Sequence, residues 1–197
     1  MSDSLELYKA ILGIVMNSHV HFHDIRCLAT FAWAIVGILL EKSVHLSKWG
    51  ILRSGDAQAA SKQRQFARWL ENSRIVPGEL YKPLAQTALF DLRGQKIYLA
   101  LDGSSLWNEF VIVRLALIHR GRAIPISWVV LQQKSAMVAF EKYKHILKEA
   151  AAILPKSCPV ILLADRGFDD NDLFCAVRDL GWGFRIRLKK SILVQRL

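Results

Sequence analysis

The amino-acid sequence predicts a mixed α/β protein in which a helical first part precedes a five-stranded mixed sheet with helices. Up to about residue 92 the apolar residues recur at the spacing of amphipathic helices, and from Ile97 onward they form runs of strand length. The second part has the order strand, strand, strand, helix, strand, helix, strand. Three strands joined by tight turns form an antiparallel meander, and a helical crossover then returns the chain parallel to an earlier strand. We therefore expect two domains, residues 1–92 and 93–197.

Four helices are predicted in the first domain, and the stretch from Pro77 to Pro83 is interpreted as turns. The second and third helices, with the turn between them, are compatible with a DNA-reading helix-turn-helix and equally with any small helical bundle. The predicted helices span residues 5–18, Ile25–Glu41, a short segment that opens near Ser47, and Asp56–Asn72, which Asp56 can cap.

The five predicted strands differ in how they are buried. The continuous apolar runs IYLALD and VILLAD are typical of strands covered on both faces, whereas Trp182–Leu188 alternates and predicts a half-buried strand with a basic outer face. Pro125 places the third strand at an edge, because proline cannot donate a hydrogen bond to a neighbouring strand. Ser135 can cap the helix that follows, which Pro155 ends. The predicted strands are Ile97–Asp102, Glu109–Ile118, Ala123–Leu131, Val160–Asp165 and Trp182–Leu188.

The charge and the cysteine content limit the partners and the compartment. The net charge of +10 and the pI of about 9.8 favour a polyanionic partner, either nucleic acid or an anionic membrane surface. Three widely spaced cysteines predict a reducing cytoplasm and argue against a disulfide framework or a cysteine-based zinc site. The uncharged segment Cys27–Leu40 would be about 21 Å long as a helix, against about 30 Å of bilayer core. A buried core helix and no membrane partner are therefore expected, with a membrane anchor as the alternative.

Two of the predicted strands end in a carboxylate, Asp102 and Asp165. A single aspartate at a strand end is most often a turn or cap residue. If the crossover places the fourth strand beside the first, however, the two carboxylates stand on strands about 4.8 Å apart. They then repel each other unless a cation lies between them or one of them holds its proton. Mg²⁺ and Mn²⁺ prefer oxygen ligands, and a two-ion site suits phosphoryl transfer. One ion lowers the pKa of the attacking water or hydroxyl, and the other stabilises the leaving oxygen.

Basic residues in both domains are candidates for contact with DNA phosphates. This interpretation depends on the overall positive charge, and the alternative for each helical residue is a solvated helix face. The candidates are Lys48, Lys62, Arg64 and Arg68 in the first domain, and Arg185, Arg187, Lys189 and Lys190 on the last strand and the tail.

Three segments resemble the catalytic domain of DDE transposases of bacterial insertion sequences, most closely the insertion-sequence-4-like group. They are YLALDGSSLW, GRAIPISWVVL and ILLADRGFDD, and the likeness covers about residues 94–190. The segment ARWLENSRIVPGELYKPL is similar, more weakly, to that group's helical N-terminal DNA-binding region. The resemblance implies a ribonuclease-H-like fold, with Asp102 and Asp165 as the first two acidic residues of a catalytic triad. It also implies a bacterial, cytoplasmic enzyme that self-associates on double-stranded DNA, cleaves insertion-sequence ends and transfers them to target DNA.

The same resemblance implies a third acidic residue, a Glu on a later helix, which lies beyond the last residue of this sequence. We therefore expect a truncated gene product or a partial sequence whose catalytic domain is incomplete. With two of three carboxylates it would hold a cation weakly and perform no strand transfer alone. The alternative is a DNA-binding remnant without catalysis, which occupies transposon ends or interferes with the full-length enzyme.

Overall fold

The computed structural model describes residues 3–22, 24–53, 55–135 and 137–187. The chain divides into two compact units, Met1–Thr87 and Ala88–Leu197, where the sequence analysis places the boundary at residue 92. The described residues of the first unit form helices, and those of the second form a five-stranded sheet with two helices. The predicted mixed α/β architecture with a five-stranded mixed sheet is confirmed.

The core of the first unit is built around its second helix. Trp33 and Val36 of that helix are buried in one cluster with Phe66 of the fourth helix, and Tyr8 stacks on Trp33 with 4.5 Å between ring centroids. The helices are α1 (Asp3–Asn17), α2 (Ile25–Glu41), α3 (Leu46–Leu52), α4 (Ala59–Leu70) and α5 (Pro77–Ala88).

Helix α2 has the bounds that the sequence predicts, and its two ends are capped. The carboxylate of Asp24 accepts a hydrogen bond from the backbone N–H of Arg26 at 2.8 Å and pairs with its guanidinium. The hydrogen bonds and charge of Arg26 hold the pKa of Asp24 below its ordinary value. At the other end Lys42 adopts the left-handed conformation, with φ of 48°, and donates its N–H to the carbonyl of Ile38. Among the described residues, no single helix is both long and apolar enough to cross a bilayer, and α2 and α3 meet that test only as a bent pair.

Helix α3 leaves α2 at an angle of 103° after a short turn. Its Trp49 packs directly on Gly37, where ring and Cβ atoms of the tryptophan lie 2.5–2.8 Å from the position that a β-carbon would take. The indole N–H of Trp49 donates to the carbonyl of Ser43 at 2.7 Å, and its ring meets Phe66 edge-on. The angle between α2 and α3 is therefore fixed by a buried side chain that only glycine accommodates.

Two expectations for α4 and α5 are wrong. Asp56 does not cap α4, because the helix begins after Gln58, whose side chain makes no capping hydrogen bond. The segment interpreted as turns is helix α5. Pro77 occupies its first position, where a missing N–H needs no partner, and Pro83 lies inside the helix. The hydroxyl of Thr87 donates to the carbonyl of Pro83 at 3.0 Å and stabilises the last turn.

The sheet of the second unit has the order β3-β2-β1-β4-β5. The first three strands are antiparallel, β4 is parallel to β1, and β5 is parallel to β4. The edge position that Pro125 predicts for β3 is confirmed, and a register shift opposite Leu115 and Ala116 interrupts its pairing with β2. The elements are β1 (Ile97–Leu106), β2 (Phe110–His119), β3 (Arg122–Gln132), α6 (Phe140–Ile153), β4 (Val160–Ala164), α7 (Asn171–Asp179) and β5 (Gly183–Ile186).

One face of this sheet forms the core of the second unit with α6 and α7. The Ser127 hydroxyl donates to Glu149 Oε2 at 2.6 Å and ties β3 to α6, while the rings of Phe174 and Phe184 stack at 5.1 Å and tie α7 to β5. The largest fully buried side chains of this core include Leu99, Leu115, Ile146, Leu147 and Leu162. Since side chains alternate along a strand, the neighbouring positions, Asp102 among them, belong to the opposite face.

Two expected boundaries in the second unit are also wrong. β1 does not end at Asp102 but continues for four more residues, because Trp107 and Asn108 both adopt the left-handed conformation and form a tight hairpin turn to β2. Ser135 does not cap α6. The residue before that helix is Ala139, and the Ser135 hydroxyl accepts a local hydrogen bond instead.

Candidate functional site

Asp102 and Asp165 lie on adjacent strands that run in the same direction. β1 and β4 pair in parallel with Leu101 opposite Ala164, and each aspartate is the next residue in its chain segment. The two residues therefore come at the same step of strands that are roughly 4.8 Å apart. The expectation that the crossover brings β4 beside β1 is confirmed, and both aspartates are exposed.

Asp102 forms a cross-strand ion pair that the sequence analysis does not anticipate. β1 and β2 pair so that Asp102 faces Arg114, and Nη2 of the arginine lies 2.9 Å from Oδ2 of the aspartate. The Ser104 hydroxyl donates to the same oxygen at 3.4 Å, so Oδ1 has no hydrogen-bond partner within the described ranges. The two side chains are 43% and 55% exposed, and such a pair contributes at most about 1 kcal/mol. The single arginine within the apolar run EFVIVRLALI is the signal that could have revealed it.

A packed turn follows Asp165 and rests on β1. The Asp165 carbonyl accepts a hydrogen bond from the Phe168 N–H at 2.9 Å, which closes the 3₁₀ turn of residues 166–168. The Phe168 ring lies 3.6 Å from the position of a β-carbon on Gly103, the residue after Asp102. It also meets the Tyr143 ring edge-on at 5.7 Å. The turn after one aspartate therefore packs beside the strand that carries the other.

Tyr143 of α6 supports this turn from the core. The residue is 1% exposed, and burial together with the negative charge of Asp170 raises the pKa of its phenol above the ordinary value. Asp170 itself caps α7, since its carboxylate accepts a hydrogen bond from the Asp172 N–H at 2.8 Å. This carboxylate therefore has a structural role, as a helix cap.

Two arginines at the end of the sheet belong to the same face as Asp102. Ala100, Leu163 and Arg185 stand at one step of the register across β1, β4 and β5, so their side chains share a face. Asp102 lies two residues beyond Ala100, and Arg187 lies two residues beyond Arg185. Both arginines are exposed. The other two predicted contacts on this segment, Lys189 and Lys190, lie outside the described residues.

The four basic candidates of the first unit separate into two sets. Lys62 and Arg68 line a cleft of about 550 Å³, whereas Lys48 and Arg64 are exposed and take no part in its lining. The cleft lies between α2, α4 and the segment that joins α3 to α4. Arg26 and Arg53 also line it, and the sequence analysis misses both because Arg26 belongs to α2 and Arg53 to the segment between α3 and α4, so neither shares the helical spacing of α4.

The carboxylate pair suits a divalent cation by the type of its donor atoms. Mg²⁺ is commonly held in proteins through one or two carboxylates, with waters and substrate phosphates as the remaining ligands. Across the described part of the chain, no cluster of three or more His, Cys, Asp or Glu side chains is arranged to hold a metal ion. Asp102 and Asp165 can therefore provide two ligands, and the guanidinium of Arg114 competes for one of them.

Neither a protein-family model nor a curated protein matches this chain.

Proposed function

We propose that this chain is a DNA transposase of the insertion-sequence type, in which Asp102 and Asp165 hold Mg²⁺ or Mn²⁺ for phosphoryl transfer on double-stranded DNA. The observation that carries the proposal is the parallel register of β1 and β4, which brings the two exposed residues to the same step of neighbouring strands. An antiparallel meander followed by parallel crossovers, in the order β3-β2-β1-β4-β5, supports the ribonuclease-H-like fold that the resemblance implies.

The residues around the pair have distinct roles in this proposal. A bound divalent cation would supply Lewis acidity that lowers the pKa of an attacking water or hydroxyl and stabilises the leaving oxygen. Asp102 would offer its unengaged Oδ1, while Arg114 holds Oδ2 and fixes the orientation of the carboxylate. Arg185 and Arg187 would bind DNA phosphates, since arginine forks match phosphate oxygens and these two belong to the same face of the sheet.

The first unit would be the DNA-reading part of the protein. Helix-turn-helix motifs join two helices at about 90–120° through a short turn, and α2 and α3 meet at 103°. Lys48 is exposed on α3, the second helix of this pair. A bacterial cytoplasmic location and self-association on DNA belong to the same proposal.

A DNA-binding remnant without catalysis is the second candidate, and the ion pair of Asp102 favours it. The guanidinium of Arg114 places a fixed positive charge on the carboxylate that would otherwise bind a cation. In that case the protein would occupy transposon ends without cutting them, and the pair of aspartates would show no affinity for Mn²⁺.

Metal binding separates the two candidates. Mn²⁺ binding to the whole chain is measured by electron paramagnetic resonance for the wild type, Asp102→Asn, Asp165→Asn and the control Asp179→Asn, an exposed carboxylate at the end of α7. We expect about tenfold or greater weakening in the first two variants and no change in the control. Equal Mn²⁺ binding by all four proteins would remove the catalytic proposal.

DNA recognition tests what both candidates share. Duplexes from the DNA that flanks the gene and shuffled duplexes of equal length are compared by fluorescence anisotropy at several salt concentrations. Specific DNA-binding proteins prefer their sites by about 10³-fold or more at physiological salt. We expect such a preference for the flanking DNA, retained in Asp102→Asn and Asp165→Asn. A protein that shows neither preference nor salt-dependent binding is not a transposase of this kind.

A further inference from the structure

The cleft in the first unit has an excess of positive charge. Four cationic side chains line it, those of Arg26, Arg53, Lys62 and Arg68, against the single carboxylate of Asp56. We call it the Arg53 cleft.

Among the residues that the structure describes, only one of the four cations of the Arg53 cleft pairs with a carboxylate. Arg26 pairs with Asp24 at 2.8 Å. Within residues 3–22, 24–53, 55–135 and 137–187, no carboxylate lies within ion-pair distance of Arg53, Lys62 or Arg68. Arg53 is half-buried, and loss of hydration lowers the pKa of its guanidinium. A partly desolvated cation without a counter-ion is costly, and an anion in the cleft would offset that cost.

A hydrogen-bond network holds Arg53 in place before any ligand arrives. Its Nη1 donates to Oε1 of Gln65, and Lys62 Nζ donates to the Arg53 carbonyl at 2.6 Å. Gln65 in turn donates to the hydroxyl of Thr30, which donates to the Arg26 carbonyl at 2.8 Å. The network uses only Nη1 of the guanidinium. Among the described residues no acceptor is bonded to Nε or Nη2 of Arg53, so their N–H groups are available to a ligand. A preorganised donor set reduces the entropic cost of binding.

The start of α4 lies beside the same cations. Ala57, Ser61 and Lys62 line the Arg53 cleft, and they flank or belong to the first turn of this twelve-residue helix. The side chain of Gln58 makes no capping hydrogen bond, but its carbonyl accepts the N–H groups of Ser61 at 2.9 Å and Lys62 at 3.1 Å. Since Ala59 and Ala60 are not among the residues that line the cleft, the first turn contributes the positive end of its dipole rather than free N–H donors. Anions bind favourably at such a position because the helix dipole is positive there. The indole N–H of Trp69, in the wall of the cleft, is buried without an acceptor among the described residues.

We propose that the Arg53 cleft is a phosphate-binding site, in which Arg53, Lys62 and Arg68 bind one phosphate group near the start of α4. The assignment of this phosphate to the backbone of duplex DNA rests on the function proposed above. The binding chemistry itself depends only on the charges and donors of the cleft, and a small phosphorylated molecule would present the same group.

The test compares two double variants that each remove two positive charges from the first unit. Lys62→Met with Arg68→Met alters the cleft, and Lys9→Met with Lys82→Met alters exposed positions on α1 and α5 that do not line it. Arg68→Met alone is the second cleft variant, because Arg68 is exposed and its loss does not disturb the network around Arg53. Circular dichroism establishes that all variants are folded.

Binding of inorganic pyrophosphate, measured by isothermal titration calorimetry, is the first arm. We expect the wild type and the control to bind equally, the cleft double variant to bind about tenfold or more weakly, and Arg68→Met to fall between them. Binding of a duplex by anisotropy over a salt series is the second arm. Each phosphate contact contributes about 0.9 to the slope of log K against log salt, so the cleft double variant should lose about one unit of slope relative to the control.

The outcomes separate the phosphate site from the proposed function. If duplex DNA binds and the cleft and control variants have equal slopes, with no pyrophosphate binding, the phosphate site is overturned while DNA binding stands. If pyrophosphate binds through the cleft residues and duplex DNA does not bind at all, the phosphate site stands and the phosphate comes from a small molecule. If pyrophosphate binds equally to all variants, the anion site lies elsewhere and the proposal fails.

Discussion

Gly37 is the position at which the packing of α3 on α2 can be tested by a single methyl group. A β-carbon there would lie 2.5, 2.7 and 2.8 Å from three atoms of Trp49, whereas carbon atoms in favourable contact are about 3.5–4.0 Å apart. Trp49 would have to shift by about 1 Å. It is 5% exposed, hydrogen-bonded to Ser43 and packed against Phe66, so the shift disturbs the core. Such overpacking destabilises the folded state by about 1–3 kcal/mol, and the higher helix propensity of alanine offsets up to about 1 kcal/mol of that.

Gly13 provides a matched control in the same unit. It also lies inside a helix, and in the described part of the chain no atom beyond its own helix backbone lies within 4 Å of the place where its β-carbon would be. Gly13→Ala should therefore stabilise the protein by about 0.5–1 kcal/mol, through the loss of backbone freedom in the unfolded chain. Gly37→Ala gains the same propensity term, so the difference between the two variants isolates the packing cost of about 1–3 kcal/mol.

Thermal unfolding followed by circular dichroism at 222 nm measures this difference. For a unit of this size, 1 kcal/mol corresponds to about 4–8 °C in the midpoint temperature. We expect Gly13→Ala to melt above the wild type and at least about 4 °C above Gly37→Ala. Equal shifts for the two variants would refute the inference that Trp49 is closely packed on Gly37, and with it the fixed angle between α2 and α3.

Three further predictions concern the second unit. Arg114→Gln should tighten Mn²⁺ binding by about two- to fivefold in calorimetry, because a cation at Oδ1 of Asp102 is then no longer opposed by the guanidinium at Oδ2, a pairing worth up to about 1 kcal/mol. Tyr143→Phe should lose less stability than the wild type at alkaline pH. In the wild type, burial keeps the phenol protonated in the folded state, whereas in the unfolded state it ionises above its ordinary pKa of 10.0, so stability falls as the pH rises above that value. Gly103→Val should push Phe168 off β1 and cost about 1–3 kcal/mol in urea unfolding.

Each of these three has its own control. Arg122→Gln removes an exposed charge elsewhere on the sheet and should leave Mn²⁺ affinity unchanged; weaker binding by Arg114→Gln would mean that this arginine supports the metal site. For Tyr143→Phe, a stability profile above pH 10 parallel to that of the wild type would contradict the assigned pKa shift. Gly103→Ala should be tolerated, because its β-carbon would lie at an ordinary contact distance of 3.6 Å from Phe168. If Gly103→Val were as stable as Gly103→Ala, the turn would not be packed against β1 at Gly103.

The sequence by itself determined which segments form the strands of the sheet and how strands and helices follow one another along the chain. Apolar run length and alternation are local properties, so the five strands and the helix α2 could be predicted closely. The helical crossover predicted that β4 runs parallel to an earlier strand, and the structure places it beside β1. The local signals were misleading at Pro77 and Pro83, because a proline at the first helical position and one tolerated inside a helix look the same in sequence as turn residues.

Only the tertiary structure decided which polar side chains meet. Asp102 and Arg114 pair because the hairpin turn at Trp107 and Asn108 sets the register of β1 against β2, and a shift of one residue would turn every side chain to the other face. The Arg53 cleft joins α2, α4 and the segment between α3 and α4, which touch through buried side chains rather than through any sequence spacing. Charges separated by tens of residues come together only when the apolar core fixes the helices that carry them, and no periodicity along the chain encodes that arrangement.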